Sequence, residues 1–574
     1  MLMRKIPYGV SSFPLIRREN YLYVDKTRFI REVEKTKTLI HLRPRRFGKS
    51  LFLSVLDSYY DVATVDIFDD LFSGLYIHEK PTRNRNNCYM LRFNFSGVQN
   101  VREDDLEKGF LNKVNDGVER FINKYELDIE LKESNQAADI LASLIKGFGK
   151  LKLSHKIYIL IDEYDHFTNS VLAGDGDEFL TLLKRGGFVR SFYEVIKENM
   201  ELGIIERIFI TGVMSITLDS MTSGFNIDTN ITTNKRFVDA MGFTAQEVKD
   251  VLKMTFFEEG GEDNSIQLTP SEQVDVFDIF EENYNGYLFS PRNNIKVFNS
   301  TLIMYFLKHY LPEKQLPESL VDSNLNQNSM TIENIVSLKN PEQNYGIIKQ
   351  VIQNKEVGGK LQDFFDIDKG FEEDDIITML FNIGLLTIKR AGFDTVFEIP
   401  NKIIERIYYK YLKELTLKQA SYRINTRKQR AALRELGENG KIGALTSLVE
   451  EFLTQIANVN LRKFDEKYVK LIYLMLISVT DQFMVYDEFP AGNGFIDILL
   501  EKSPISFAKY QVLIELKYIK RKETTPAKIE EKFRDGVKAV EDYLQDDRIS
   551  QLQKLKKFVI VFSGYEAVKV EELD

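Results

Sequence analysis

The chain has 574 residues, 43% of them apolar and 12% aromatic, and carries 77 lysines and arginines against 86 aspartates and glutamates, for a formal net charge of −9. This is a packed globular composition, long enough for three or four domains at roughly 100–200 residues each; its acidic balance excludes a globally basic nucleic-acid binder, so any such contact needs a local basic patch. A single cysteine, Cys88, excludes an internal disulfide and a cysteine-based zinc centre and favours a reducing compartment.

The start, MLMRKIPYGVSSF, has no apolar leader core. The apolar run LIYLMLISV from Leu471 is far short of the roughly 20 residues a membrane helix needs. A cytoplasmic, membrane-free protein is expected. Through about residue 240, short apolar segments rich in β-branched residues alternate with helical ones. KTLIHL, NCYMLRFNFS, KIYILIDEYD and IERIFITGVMS read as buried strands, and DDLEKGFLNKVNDGVERFINKY, from Asp104, as an amphipathic helix. That alternation predicts an α/β domain over residues 1–240 with a mainly parallel sheet.

From 241 to about 320 the pattern turns helical. From Asp375, DDIITMLFNIGLLTIKRAGFDTVFEIPNKIIERIYYKYL reads as helix, two strands joined by RAGFD, and helix, which is a winged-helix-like unit. Residues 402–441 hold 11 lysines and arginines against 4 glutamates, either a solvated helical linker or a nucleic-acid contact. Residues 241–440 are thus read as a helical, winged-helix-like region with a basic linker. In 441–574 a helical start is followed by DEFPAGNGFIDILLEK and SFAKYQVLIELKYIKRK as strands, a helix, and KFVIVFSGYEAV as a last strand: a second, smaller α/β unit.

Between KTLIHL and the helix SLFLSVLDSYY lies RPRRFGKS. It ends like a phosphate-binding loop, G-x-x-x-x-G-K-[ST], except that Arg43 stands at the first glycine. A residue with negative φ fills that position without steric penalty, so Arg43 is expected at negative φ, its side chain turned from the phosphates or onto a nearby acid. In a strand–loop–helix setting, backbone N–H groups and the helix N-terminus cradle phosphates. The expected nucleotide contacts are Arg46, Phe47, Gly48, Lys49, Ser50 and Leu51, with Lys49 reaching the β/γ-phosphates and Ser50 holding Mg2+. ILIDEYD places Asp162 at a strand tip as the second Mg2+ contact and Glu163 as general base for the attacking water. Thr211, closing IFIT, is placed to touch the γ-phosphate or that water. ATP and Mg2+ are the expected cofactors.

The succession PYGVSSFPLIRRENYLYVDKTRFI, RPRRFGKS, LIDEYD, FITGV, GFT at Gly242 and NYNGYLF at Asn283 resembles the AAA-ATPase-like family, widespread in bacteria and often carrying a C-terminal PD-(D/E)xK nuclease-like domain. The resemblance implies that arginine at the first loop position is a family trait, and it implies a relation to STAND-like and archaeal ATPases, which couple an ATPase switch to an effector. Tyr23, Asp25 and Lys26 in YLYVDKT are then either adenine contacts or an N-terminal brace.

In the last unit, Asp497 lies in GFIDILL, and Glu515 and Lys517 in VLIELKY share one face of a strand. Converging, they form a PD-(D/E)xK pattern: Asp497 and Glu515 hold Mg2+, and Lys517 positions or activates water for phosphodiester hydrolysis. Glu466, in DEKYVKLIYLML, matches a helix glutamate found upstream in that superfamily, a third metal ligand or a solvated acid. Two features depart from its pattern: EEKFRDGVKAVEDYL has no glutamine, and Gly494-Phe495 stands where Gly-Arg is common. The expected architecture is a multidomain α/β protein: a P-loop NTPase, a helical and winged-helix-like middle, and a restriction-endonuclease-like end. The expected function is an ATPase whose nucleotide state controls a Mg2+-dependent nuclease; the alternative is a switch whose nuclease-like domain binds nucleic acid or protein without cutting. The expected partner is nucleic acid, DNA before RNA, with a homo-oligomer left open.

Overall fold

The computed structural model describes residues 4–97, 103–166, 187–215, 229–257, 265–321, 328–338, 340–362, 371–419, 423–457, 465–478, 480, 482–503 and 505–574. Contacts divide the chain into two compact units: Met1–Gln315 with Met330–Asn401, and Leu316–Ser329 with Lys402–Asp574.

The first unit is built on β1 (Thr38–Leu42), β2 (Cys88–Asn94), β3 (Lys156–Asp162), β4 (Ile205–Gly212) and a two-residue β5 (Thr229–Asn230), in the order β2-β3-β4-β1-β5. Every pairing is parallel. β1 is buried at every position and β3 at all but its first, the unbroken apolar signature of strands covered on both faces. Parallel neighbours need crossovers, supplied by α1 (Lys49–Tyr60), α2 (Glu103–Lys124), α3 (Ala137–Lys150) and α4 (Gly187–Glu201). Leu42, Asp162 and Gly212 all close their strands at the carboxyl edge, where open α/β sheets bind ligands.

The stretch read as helical does contain α5 (Ala245–Leu252), α6 (Pro270–Tyr284) and α7 (Ser300–Glu313), started by Thr244, Thr269 and Asn299 as side-chain caps. Between them run two small ladders, β6 (Phe243–Thr244) with β9 (Val297–Phe298) and β7 (Thr255–Phe257) with β8 (Ser265–Gln267). Strands of two or three residues are too short for alternation to register against a helical background. Further along, α8 (Pro341–Asn354), β10 (Glu356–Gly359), α9 (Glu373–Asn382), β11 (Thr387–Arg390) and β12 (Thr395–Glu398) follow. The three strands form an antiparallel sheet, β10-β12-β11, whose β11–β12 hairpin turns at the expected RAGFD.

In the second unit the basic stretch forms α10 (Lys402–Gln419) and α11 (Thr426–Asn439), which bury Tyr408, Leu412, Leu433, Leu436 and the carboxyl of Glu405 and leave Lys410, Arg427, Lys428, Arg430 and Arg434 exposed. Then come α12 (Gly443–Ala457), α13 (Glu466–Ile477), β13 (Phe483–Ala491), β14 (Gly494–Lys502), β15 (Gln511–Ile519), α14 (Pro526–Tyr543), β16 (Leu555–Ser563) and β17 (Glu566–Leu573). The sheet order is β13-β14-β15-β16-β17; only β15–β16 is parallel. DEFPAGNGFIDILLEK, read as one strand, is two. Gly492 adopts φ +55 at its turn, and Asp542 accepts from the N–H and side-chain amide of Asn493 at 2.7 and 2.9 Å.

Candidate functional site

The phosphate loop joins β1 to α1. Gly48 caps α1 at φ +91, and the other left-handed residue of the loop is Arg46, at φ +72. Arg43 is not among the residues of positive φ. Its guanidinium is buried and points away from the loop. It donates to the carbonyls of Leu42 (2.8 Å), Thr232 (2.7 Å) and Phe237 (3.2 Å) and lies 4.1 Å from the centre of the Phe289 ring. Burial pulls its pKa down to about 9, with Asp239 opposing. Its anchors are thus carbonyls and a ring rather than an acid. Phe47 is buried edge-on against Tyr287 (4.9 Å) and Phe289 (5.4 Å), so only its backbone is left for a nucleotide. Thr301 donates its N–H and hydroxyl to the Arg46 carbonyl at 3.2 and 2.8 Å, and the Gly242 N–H donates to that of Phe47 at 2.9 Å.

Inside the loop, the Lys49 ammonium donates to the carbonyls of Arg43 (2.9 Å) and Pro44 (3.0 Å). Burial depresses its pKa, while Asp162, Asp165 and Glu163 pull it up, so all three acids act on one cation. Ser50 and Leu51 follow, half-buried, in the first turn of α1. Asp162 is wholly buried. Its Oδ1 accepts from the Thr211 hydroxyl at 2.9 Å, which turns Thr211 onto the acid; its Oδ2 has no hydrogen-bond partner among the described residues and lies 3.8 Å from the Arg92 guanidinium. An orphaned carboxylate oxygen at a strand tip suits a hard divalent cation, and by that test Asp162 fits Mg2+. Glu163 sits at φ +51, a strained conformation for a residue with a side chain. The His166 ring, 3.1 Å away, holds its pKa down against burial, and Lys49 adds to the effect.

Sequence reading gave no part to Asp165, His166 or Arg92. Asp165 is buried and accepts from the backbone N–H of Val213 (3.1 and 3.0 Å) and Met214 (2.7 Å), clamping the end of β4 to the end of β3. A Cβ on Gly212 would lie 2.4 Å from both Asp165 Oδ1 and Tyr164 Cδ1. The third acid of DEYD was the available signal. Lys26 pairs with Glu247 at 2.7 Å and with the Asp239 carbonyl at 2.8 Å, and Asp25 accepts from the N–H of Thr27 and Tyr76, so YLYVDKT braces the fold.

In the second unit, β14 and β15 pair only at Ile498/Ile514, Leu499/Leu513 and Leu500/Val512 and then part. At the parting a side chain replaces the ladder: Asp497 Oδ2 accepts from the Leu516 N–H at 2.8 Å. Glu515 is 3% exposed; Lys517 Nζ donates to its Oε1 at 2.6 Å and to the Leu516 carbonyl at 3.1 Å. Glu515 Oε2 has no hydrogen-bond partner among the described residues. Burial, then Asp497, push Glu515 up to about 7, with Lys517 opposing; burial also raises Asp497. For Lys517 burial acts downward, but Glu515, Glu466 and Asp497 outweigh it and raise its pKa.

Glu466 opens α13, raised by burial and sensing both Lys517 and Asp497. Among the described residues no group of three or more His, Cys, Asp or Glu side chains is placed to hold a metal ion. Asp497 and Glu515, with the orphaned Oε2, fit Mg2+, which is content with one or two carboxylates and keeps several waters. Tyr543 is a further group the motif did not announce. Its hydroxyl donates to the Phe495 carbonyl at 2.8 Å, and burial followed by Glu515 and Asp497 raises its pKa.

A parallel sheet with a phosphate loop after β1 and an acid at the tip of β3 defines a P-loop ATPase domain, and the five-stranded mixed sheet with paired acids where β14 and β15 part defines a nuclease-like one. Comparison with known proteins gives the same division: residues 7–222 match the family described as Predicted AAA-ATPase, and residues 464–572 match the PD-(D/E)XK nuclease superfamily. A curated relative from Azotobacter chroococcum mcd 1, described as "Uncharacterized protein in vnfD 5'region", is 29% identical over 259 residues. The match covers 44% of this chain and 45% of that relative, so the chain spans less than half of its length. No helix among the described residues is long and apolar enough to cross a membrane.

Proposed function

We propose that the chain binds and hydrolyses ATP at the loop 43–50 and that its nucleotide state controls a Mg2+-dependent nuclease in the cytoplasm, acting on nucleic acid, DNA before RNA. In this reading residues 1–240 are the ATPase, 241–440 the lid and winged-helix-like region with its basic stretch, and 441–574 the nuclease. The observation that carries the proposal is a repeated one: among the described residues each unit holds a buried carboxylate oxygen without a hydrogen-bond partner, Asp162 Oδ2 and Glu515 Oε2, in the field of a lysine.

When bound, Mg2+ would neutralise charge developing on phosphate oxygens and lower the pKa of a water, held by Ser50 and Asp162 in one site and by Asp497 and Glu515 in the other. Lys49 exchanges the carbonyls of Arg43 and Pro44 for the β/γ-phosphates. Glu163, kept ionised by His166 and Lys49, accepts the proton of the attacking water. Thr211 fixes the orientation of Asp162. Lys517, cationic beside Glu515, positions the water at the phosphodiester.

The test is incubation of the purified full chain with DNA and with RNA, with and without ATP and Mg2+. Cleavage requiring Mg2+ and lost in Lys517→Ala is expected. A second reading, binding without cutting, draws on Phe495 beside Asp497 and on the absence of glutamine from α14; nucleic-acid binding without any cut would establish it. Equal nucleic-acid affinity and cleavage in apo, ADP and non-hydrolysable ATP states would sink the control of one site by the other.

A further inference from the structure

A cavity of ≈ 270 Å³ lies between α1, β2 and α2. Asp57 of α1, Arg92 and Asn94 of β2, and Arg120 and Lys124 of α2 line it. The cavity owes its form to Gly117, where a Cβ would lie 2.6 Å from Phe93 Cδ1: α2 rests directly on β2, and the next turns present Arg120 and Lys124 to the gap. Lys124 is neutralised, 2.5 Å from Asp61 and 3.7 Å from Asp57. Arg120 is not, and Arg92 faces Asp162 only at the edge of ion-pair distance. Among the described residues Arg120 has no carboxylate within 4 Å and donates to the Asp116 carbonyl, at 2.8 Å, and Arg92 lies 3.8 Å from Asp162 Oδ2. Asn94 uses its amide oxygen on the Ser96 N–H, at 2.8 Å, which leaves amide donors for the cavity.

We propose that this cavity is an anion site for a small phosphate-bearing ligand, and that Arg92 reports its occupancy to Asp162. Two planar guanidiniums and an amide match the oxygens of a phosphate group in a way that paired surface charges do not. The site is separate from the phosphate loop, whose cation is Lys49. An anion that engages Arg92 draws it from the orphaned oxygen of Asp162, so occupancy alters the field at the acid expected to hold Mg2+. The binding stands on the cavity alone; the link to ATP turnover rests on the nucleotide reading above.

The experiment is calorimetric titration of the full-length chain with inorganic phosphate at fixed ionic strength, made in Lys49→Ala so that the loop does not compete. Binding retained in Lys49→Ala and weakened about tenfold or more by adding Arg120→Ala, as expected on losing one charge-assisted hydrogen bond, supports the site. Arg120 is exposed, so its replacement leaves the fold intact. Phosphate binding abolished by Lys49→Ala alone, unchanged by Arg120→Ala, or absent at millimolar phosphate overturns it. In Lys49-intact protein, ATP turnover that changes with added phosphate, and no longer does so in Arg120→Ala, supports the link; turnover indifferent to a phosphate that binds the cavity overturns the link. Failure of the chain to bind ATP removes the link and leaves the calorimetric result standing.

Discussion

Replacing Glu515 by Gln probes the electrostatics of the nuclease-like site while keeping its shape. The carboxyl is almost wholly buried and its pKa rises from 4.5 to about 7. Burial is the main cause, Asp497 adds to it, and Lys517 opposes. Between those two values the folded chain keeps a proton that the unfolded chain has released. The sign is therefore opposite to that of an ordinary ion-paired carboxylate: stability is highest below the unfolded value and falls as pH rises through the folded one. At about 1.36 kcal/mol for each pH unit between the two, the loss is on the order of 3 kcal/mol once the pH exceeds the folded value. Glutamine still offers Lys517 an oxygen and carries no charge at any pH. In EDTA, Glu515→Gln is expected to match the wild type near about pH 5 and to exceed it by up to about 3 kcal/mol near about pH 8. The assay is urea unfolding of the full-length chain followed by hydrogen exchange of peptides from β14 and β15, which reads the second unit separately. A difference between variant and wild type that is the same at both pH values would refute the reasoning.

Lys49→Ala is expected to abolish ATP binding, and Glu163→Gln to leave it intact while stopping phosphate release; calorimetry and a phosphate-release assay read the two, and retained affinity in Lys49→Ala would contradict the loop assignment. Arg43→Gly restores the usual glycine yet removes donors from three carbonyls and a ring contact, so it is expected to lower stability by about 2–4 kcal/mol without raising ATP affinity; a stable, tighter-binding variant would reverse that view. Gly212→Ala forces a methyl onto Asp165 and Tyr164 and is expected to destabilise the first unit by about 1–3 kcal/mol, with thermal unfolding unchanged as the contrary result. Adding Mg2+ is expected to stabilise wild type but not Glu515→Gln at the second unit, read by the same hydrogen-exchange peptides.

What the sequence made legible was contiguous. A strand, a glycine-lysine-serine loop and a helix follow one another within about two dozen residues, and the periodicity of each is long enough to read. The same holds for ILIDEYD and for the acid, acid and lysine of the C-terminal strands. What it concealed depends on distance or on short length. Asp165 is one acid among three until Val213 and Met214 arrive, 48 and 49 residues on. Arg43 could be expected at negative φ, but not its partners Thr232, Phe237 and Phe289. The positive φ came instead at Arg46, where no glycine marks it. The β13–β14 hairpin was read as one strand because apolar residues flank Ala-Gly-Asn-Gly on both sides. β17, half charged, is held by backbone pairing with β16, with Val568 and Leu573 packed against the core.

The tie between the phosphate loop and later chain bears on synthesis and on truncation. A ribosome that has just made residue 240 has supplied the whole parallel sheet and every residue of the loop, and with them the Thr232 and Phe237 carbonyls that Arg43 grips. It has not yet supplied Gly242 to donate to Phe47, Tyr287 and Phe289 to cover its ring, or Thr301 to fasten the carbonyl of Arg46. A fragment ending there exposes an aromatic ring next to the lysine and leaves the left-handed turn at Arg46 unsupported. On the proposed reading the nucleotide site is thus finished late, some 70 residues after its last strand is made, and a nascent or clipped chain is expected to gain ATP affinity only once the segment that closes the loop has emerged and folded.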